Sequence, residues 1–159
     1  MADLNTSEEY NGVGWTAGNN LGTAASGLAG CGTQAAGFAA GGNGNPSNSQ
    51  WLVTHEYDGT SWTVGGAILT KRNNNGTWGS LTAGFTVGNS DYSATAETYD
   101  GTCWSAVDNE PAGKAKSPGI GQSGGGTSGL HHGGEAASGV LATTYEYSTL
   151  LTARSVTAS

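Results

Sequence analysis

Glu56-Tyr57-Asp58-Gly59-Thr60-Ser61-Trp62 is the stretch whose reading decides the fold, because the chain repeats it. It returns as Glu9-Tyr10-Asn11-Gly12-Val13-Gly14-Trp15 and as Glu97-Thr98-Tyr99-Asp100-Gly101-Thr102-Cys103-Trp104, with a reduced copy at Tyr145-Glu146-Tyr147. Asn-Gly and Asp-Gly tolerate positive φ in hairpin turns, so each copy reads as two short strands joined by a tight loop. Tyr and Trp, separated by that loop, can face each other across the hairpin and pack on one side of a sheet.

Working outward, Tyr10, Tyr57, Tyr99 and Tyr147 recur at intervals of 47, 42 and 48 residues. A second landmark lies between them: Ala36-Gly37-Phe38, Ala83-Gly84-Phe85 and Ser128-Gly129-Leu130, each leading to Gly41-Gly42, Gly88-Asn89 or Gly133-Gly134. A third precedes it, where the segments 21–26, 68–73, 112–117 and 150–155 align without gaps. Three landmarks in one order at a period in the forties indicate a repeat architecture. Each unit reads as four strands: strand one after the third landmark, strand two ending at the Gly pair, strand three carrying Tyr and strand four carrying Trp. No apolar pattern at i, i+3, i+4 survives, so helix is excluded. The chain is read as a single repeat domain over 1–159, with units of about 8–52, 53–94 and 95–142 and a partial unit 143–159.

Composition agrees with an ordered all-β protein. Twenty-nine glycines would suggest disorder, but five Trp, six Tyr and only 11% charged residues oppose it. The net charge of −7 argues against non-specific nucleic-acid binding and against an anionic membrane surface. Met1-Ala2-Asp3-Leu4-Asn5 lacks a signal-peptide pattern and no apolar run reaches transmembrane length, so a soluble protein without membrane insertion is expected. Cys31 and Cys103 fall at non-equivalent points of the repeat, which speaks against a disulfide between them.

The Gly pair, the Glu and Tyr before a turn, and the Trp after a fixed interval resemble kelch-type β-propeller repeats, with Tyr-Asp-Gly where kelch units usually have Tyr-Asp-Pro. The wording Glu-Tyr-Asp-Gly-Thr-Ser-Trp-Thr, with the Leu-x-Thr-Ala-x-Ser segment and Gly-Thr-Gln, is similar to Gly/Asn/Thr-rich repeats of marine bacteriophage structural and fibre proteins. The resemblance spans about 8–155 and implies four-stranded antiparallel blades. It also implies a virion or extracellular location, and self-association or contact with other virion proteins. Three repeats and two partial ones leave closure open. The Tyr10/Trp15 hairpin could be completed by Arg154-Ser155-Val156 in a small ring, or chains could join across blade edges. A β-trefoil or β-prism is the alternative fold.

Glu9, Glu56, Glu97 and Glu146 occur once per repeat and so read as blade-holding residues rather than a catalytic pair, which would need one specific separation. Glu97 stands two residues before its Tyr rather than one, which reads as a slip or bulge in that unit. His131-His132 are adjacent and would point to opposite faces of a strand, which disfavours one metal site, and no cofactor is expected. All five basic residues, Lys71, Arg72, Lys114, Lys116 and Arg154, are assigned to the connection from strand four to strand one, with Arg72, Lys116 and Arg154 aligned. Either they pair with the repeated Glu residues, or they form a ligand-binding face with Trp51 and Tyr92 that grips a glycan. Trp78 is assigned to the opposite face as an interface residue. Tyr10, Trp15, Tyr57, Trp62, Tyr99 and Trp104 are the structural repeat residues. The expected function is a non-enzymatic structural and adhesion protein, a phage virion or tail-fibre component working as a homo-oligomer. A free-standing glycan-binding lectin is the alternative, and a galactose-oxidase-like or glycosidase enzyme is the disfavoured third reading.

Overall fold

The computed structural model describes residues 4–44, 49–50, 52–117, 119–121, 128–148 and 151–156. β1 (Glu8–Tyr10) and β2 (Trp15–Ala17) form a two-stranded hairpin. β3 (Ala25–Thr33), β4 (Ala36–Gly44), β5 (Ser49–Gln50), β6 (Thr54–Tyr57) and β7 (Trp62–Val64) make the first sheet, in the order β3-β4-β6-β7 with β5 paired to β4. β8 (Gly76–Ser80), β9 (Ala83–Val87), β10 (Ala96–Tyr99) and β11 (Trp104–Val107) make the second. β12 (Gly119–Gly121) and β13 (Ser128–His132) begin the third; the small hairpin β14 (Glu135–Ala136) and β15 (Gly139–Val140) follows. β16 (Thr144–Ser148) and β17 (Leu151–Val156) then complete the third sheet in the order β12-β13-β16-β17. All pairings are antiparallel, and no sheet closes on itself among the described residues.

The hairpin reading holds in detail. Tyr10 pairs with Trp15, Tyr57 with Trp62 and Tyr99 with Trp104, with ring centroids 5.2, 4.9 and 4.8 Å apart. The loops are built alike: the Asn11, Asp58 and Asp100 side chains accept hydrogen bonds from backbone N–H groups two and three residues on. Gly12, Gly59 and Gly101 take φ of 94°, 90° and 92°, which an L side chain would resist.

Four expectations change. The sheets straddle the units read from the sequence, since each takes strands one and two from one unit and strands three and four from the next. Arg154-Ser155-Val156 does not complete the β1–β2 hairpin: it lies in β17, paired to Tyr145 and its neighbours on β16. β10 carries no bulge, because Tyr99 keeps the register of Tyr57 against both neighbouring strands. Glu97 therefore occupies the position of His55, and Thr98 that of Glu56. Trp78 is not at an outer interface; it is buried between the second and third sheets.

The inner strands β3, β8 and β12 abut in turn, and what lets them do so is a Gly-aromatic dipeptide on strand two. Adjacent strand residues face opposite sides, so Gly84 and Gly129 open notches towards the preceding sheet while Phe38 and Phe85 point their rings at the following one. Phe38 on β4 reaches into the notch at Gly84 and packs on Tyr99 and Trp104 of the second sheet, ring centroids 5.7 and 5.6 Å away. Trp78 and Phe85 do the same for Gly129 and Tyr147 of the third, with Phe85 and Tyr147 at 4.1 Å. Aromatic pairs of this kind add about 0.5–1.5 kcal/mol each beyond their burial.

Replacing Phe38 with Ala should therefore lower unfolding free energy by about 3–5 kcal/mol. Gly84→Ala, which drives a methyl into the Phe38 ring, should cost about 1–3 kcal/mol. Val13→Ala, at an exposed loop tip, should stay within about 0.5 kcal/mol. Denaturant unfolding of the three variants measures the ordering.

Candidate functional site

The repeated acids are engaged between sheets. Tyr57 donates its hydroxyl proton to Glu9, and Tyr99 donates to Glu56 of the preceding sheet. Trp62 Nε1 bonds Ser7 Oγ at 3.3 Å, and Trp104 Nε1 bonds Thr54 Oγ1 at 2.8 Å, in the same relative positions. Thus β1–β2 stands towards the first sheet as the outer half of the first sheet stands towards the second. The acid beside it holds the Tyr57 phenol up to about 12, chiefly through that hydrogen bond; Tyr99 is also pushed up to about 12, there chiefly by burial.

Glu97 acts differently because it lies on the Tyr99 side of its strand. It is buried, accepts from Leu69 N and Thr70 N, and forms an ion pair with Arg72. The Arg72 guanidinium also donates to Gly88 O at 2.9 Å and Thr95 O at 3.1 Å. Its counterpart one sheet on is Lys114, not Lys116: Lys114 Nζ bonds His131 O and Thr143 O, each at 3.0 Å, and lies over the Tyr145 ring. Two residues further, Asn74 and Lys116 share φ 53°, and Gly27 takes 66° in the first sheet. In the ungapped alignment the segment 112–117 was out of step by two residues; segments 21–26 and 68–73 keep their register, and the place of Arg72 is taken by Ala25 in the first sheet.

These placements answer the ligand-binding assignments one by one. Arg72 is fully buried and its charge is spent on Glu97, so it presents nothing to a ligand. Lys116 is exposed and pairs with Glu135 at 3.1 Å. Tyr92, at φ 64°, is 39% exposed. Its loop lies at the same end as Lys116, since Ser90 N bonds Asn73 O and Lys116 N bonds Asn74 O. Arg154 sits within strand β17 opposite Glu146, not in a connection. Trp51 lies outside the described residues. The structure brings Tyr92 and Lys116 to one end and removes Arg72 from it.

Two features were missed from the sequence. One is a buried cluster in which His131 Nδ1 meets Glu110 Oε2 at 2.7 Å beside Lys114, whose ammonium burial pushes below its ordinary value. The adjoining cavity, lined by Trp78, Glu110, His131 and Tyr147, holds about 20 Å³, room for a single water and no organic ligand. The other is an open groove of about 360 Å³ between β1 and the face of the first sheet, lined by Glu8, Glu9, Tyr10, Gln34, Tyr57 and Trp62 among others. That volume lies in the range of ligand sites, about 300–1,000 Å³. The only sequence signal for it was the half repeat at the start. Cys31 and Cys103 are both free thiols, and burial pushes Cys31 up to about 12. No group of three or more His, Cys, Asp or Glu among the described residues is placed to hold a metal ion. No helix of the described residues is long and apolar enough to cross a membrane.

No family model matches the chain, and no curated protein matches it. Among solved structures it is similar to one described as the structure of YjhT, with a TM-score of 0.72 and 13% identity, covering 90% of this chain and 49% of that one. The likeness is one of fold, and this chain spans about half the length of the structure it matches.

Two measurements follow from these contacts. Arg72→Ala strands a buried carboxylate and should cost about 3–5 kcal/mol in urea unfolding, whereas Lys116→Ala breaks an exposed pair and should cost less than about 1 kcal/mol. In an ultraviolet titration Tyr57 and Tyr99 should ionise at about 12. Because both folded values are raised, their stabilisation is complete below the unfolded value of about 10 and is lost as pH climbs through the folded one. Glu9→Ala should bring Tyr57 most of the way back, while Glu56→Ala should leave much of the Tyr99 shift in place.

Proposed function

We propose that the chain is a non-enzymatic structural and adhesion protein built of kelch-like propeller blades, of the phage virion or tail-fibre kind, working as a homo-oligomer. The observation that carries this reading is the use of the repeated acids: Glu9, Glu56 and Glu97 are all committed to fastening one repeat to the next or to its own connection. A general acid or base needs a carboxyl group within reach of substrate; Glu56 and Glu97 are engaged between strands and sheets, and Glu9, at the groove, accepts from both Tyr57 and Gln34. Separate four-stranded sheets with abutting inner strands support blades over a trefoil. The virion assignment is supported by the resemblance of the Glu-Tyr-Asp-Gly-Thr-Ser-Trp repeats.

A glycan-binding lectin is the second reading, favoured by the exposed Tyr92 ring and Lys116 ammonium at one end of the sheets. An aromatic face beside a cation suits an acidic sugar. Light scattering on the purified chain should give a mass above that of the monomer, and a panel of glycoside substrates should show no turnover; a monomer at micromolar concentration removes the oligomer. On a glycan array, binding of acidic sugars that is lost in both Tyr92→Ala and Lys116→Ala would favour the lectin, and no binding by an assembled particle would favour the structural role.

A further inference from the structure

The groove beside β1 marks a place where the repeat is interrupted. At the second sheet, the face carrying Tyr99, Trp104 and the Gly84 notch is covered by Phe38. At the third, the face carrying Tyr147 and Gly129 is covered by Trp78 and Phe85. The matching face of the first sheet carries Tyr57, Trp62 and Gly37 and opens into the 360 Å³ groove. A Cβ at Gly37 would meet only its own hairpin, at Cys31 O and Thr33 O, whereas at Gly84 and Gly129 it would meet a ring of the preceding sheet.

β1 itself is incomplete in the same sense. Strand three pairs with strand two in each of the three larger sheets, as β6 with β4, β10 with β9 and β16 with β13. Among the described residues β1 pairs only with β2. An open strand edge beside a hydrophobic groove is a template for strand addition.

We propose that the free edge of β1 and the adjoining groove form an acceptor site for a Gly/Ala-rich β-hairpin of this same repeat pattern, led by a basic residue. The register follows from the other sheets: Gly37 lies opposite Tyr57 and Phe38 opposite Glu56. The incoming Gly therefore lies opposite Tyr10 and the incoming aromatic opposite Glu9, with its ring over Tyr57 and Trp62. The basic residue follows from Glu8, which stands two before Tyr10 as Glu97 stands two before Tyr99. Glu97 pairs with Arg72, the residue that leads the β8–β9 hairpin, and Glu8 is exposed and offers the same carboxylate.

The test uses the full chain and a labelled synthetic peptide of residues 72–89, which carries Arg72, Gly84 and Phe85. Fluorescence anisotropy should show saturable binding, and hydrogen exchange should slow at Glu8–Tyr10. Phe85→Ala in the peptide should weaken binding at least about tenfold. Arg72→Ala in the peptide and Glu8→Gln in the protein should each weaken it, with a combined effect smaller than the two together. A peptide of residues 25–44, with Ala25 in place of the basic residue, should bind more weakly. The proposal is overturned if millimolar peptide fails to saturate, if the Phe85→Ala peptide binds as well, or if protection appears elsewhere than β1. None of these readouts depends on sugar binding or on the mass of the assembled particle, so this proposal and the adhesion role can fail separately.

Discussion

The packing of a ring from strand one or two into the glycine notch of the next sheet is the contact on which the rest depends. Phe38 on Gly84, and Trp78 with Phe85 on Gly129, set how closely consecutive sheets approach. That approach brings Tyr99 within reach of Glu56 and Trp104 within reach of Thr54. A chain with 35% hydrophobic residues, many of them Ala, has few large side chains to bury. It compensates by concentrating rings between sheets and keeping glycine where backbones or rings must come close. Single large-to-small changes at those rings remove a large part of an interface, which is why burial rather than strand propensity governs stability here.

Buried charge obeys a second constraint that couples two distant positions of the repeat. Where the residue leading strand one is Arg72, strand three supplies Glu97; where it is Lys114, strand three supplies the Tyr145 ring. In the first sheet the leading residue is Ala25 and strand three carries His55, whose ring burial holds below its ordinary pKa and so favours the neutral form. A buried ion without a partner costs several kcal/mol, so a cation and its acceptor must change together. His131 and Glu110 add a pair of their own beside Lys114, fed by a residue from the connection after the second sheet. These substitutions explain why the three sheets share a frame and differ in their polar centres.

The hairpins were legible in advance because their signal is local. Tyr57, Asp58, Gly59 and Trp62 lie within one turn, and a loop of fixed length brings the two rings into register whatever the rest of the chain does. The acids were legible as structural residues for a related reason: recurrence once per repeat pointed to fastening. The basic residues misled. Lys116 and Arg72 were matched through the wording of their segments, yet the ammonium that enters the Arg72 position is Lys114: Arg72 and Lys114 each stand ten residues after their hairpin Trp, and Asn74 and Lys116 share φ 53°. Pairing of a basic residue with a repeated Glu was one of the two readings, and Arg72 with Glu97 bears it out; what the spacing did not show is that the pair is buried.

By itself the sequence determined an all-β chain of repeated four-strand units, their order, their turns and the aromatic pairs, since each of these follows from residues close together and from alternation along a strand. The tertiary structure decided which faces are covered. That Arg72 is an internal ion pair, that Arg154 completes the third sheet rather than the first hairpin, and that the face of Tyr57 and Trp62 borders a groove all depend on what the neighbouring sheet places opposite each residue. Glu56 to Trp62 specifies a hairpin through contacts within a few residues. What lies against it is set by chain dozens of residues away, and in this protein that position holds a groove.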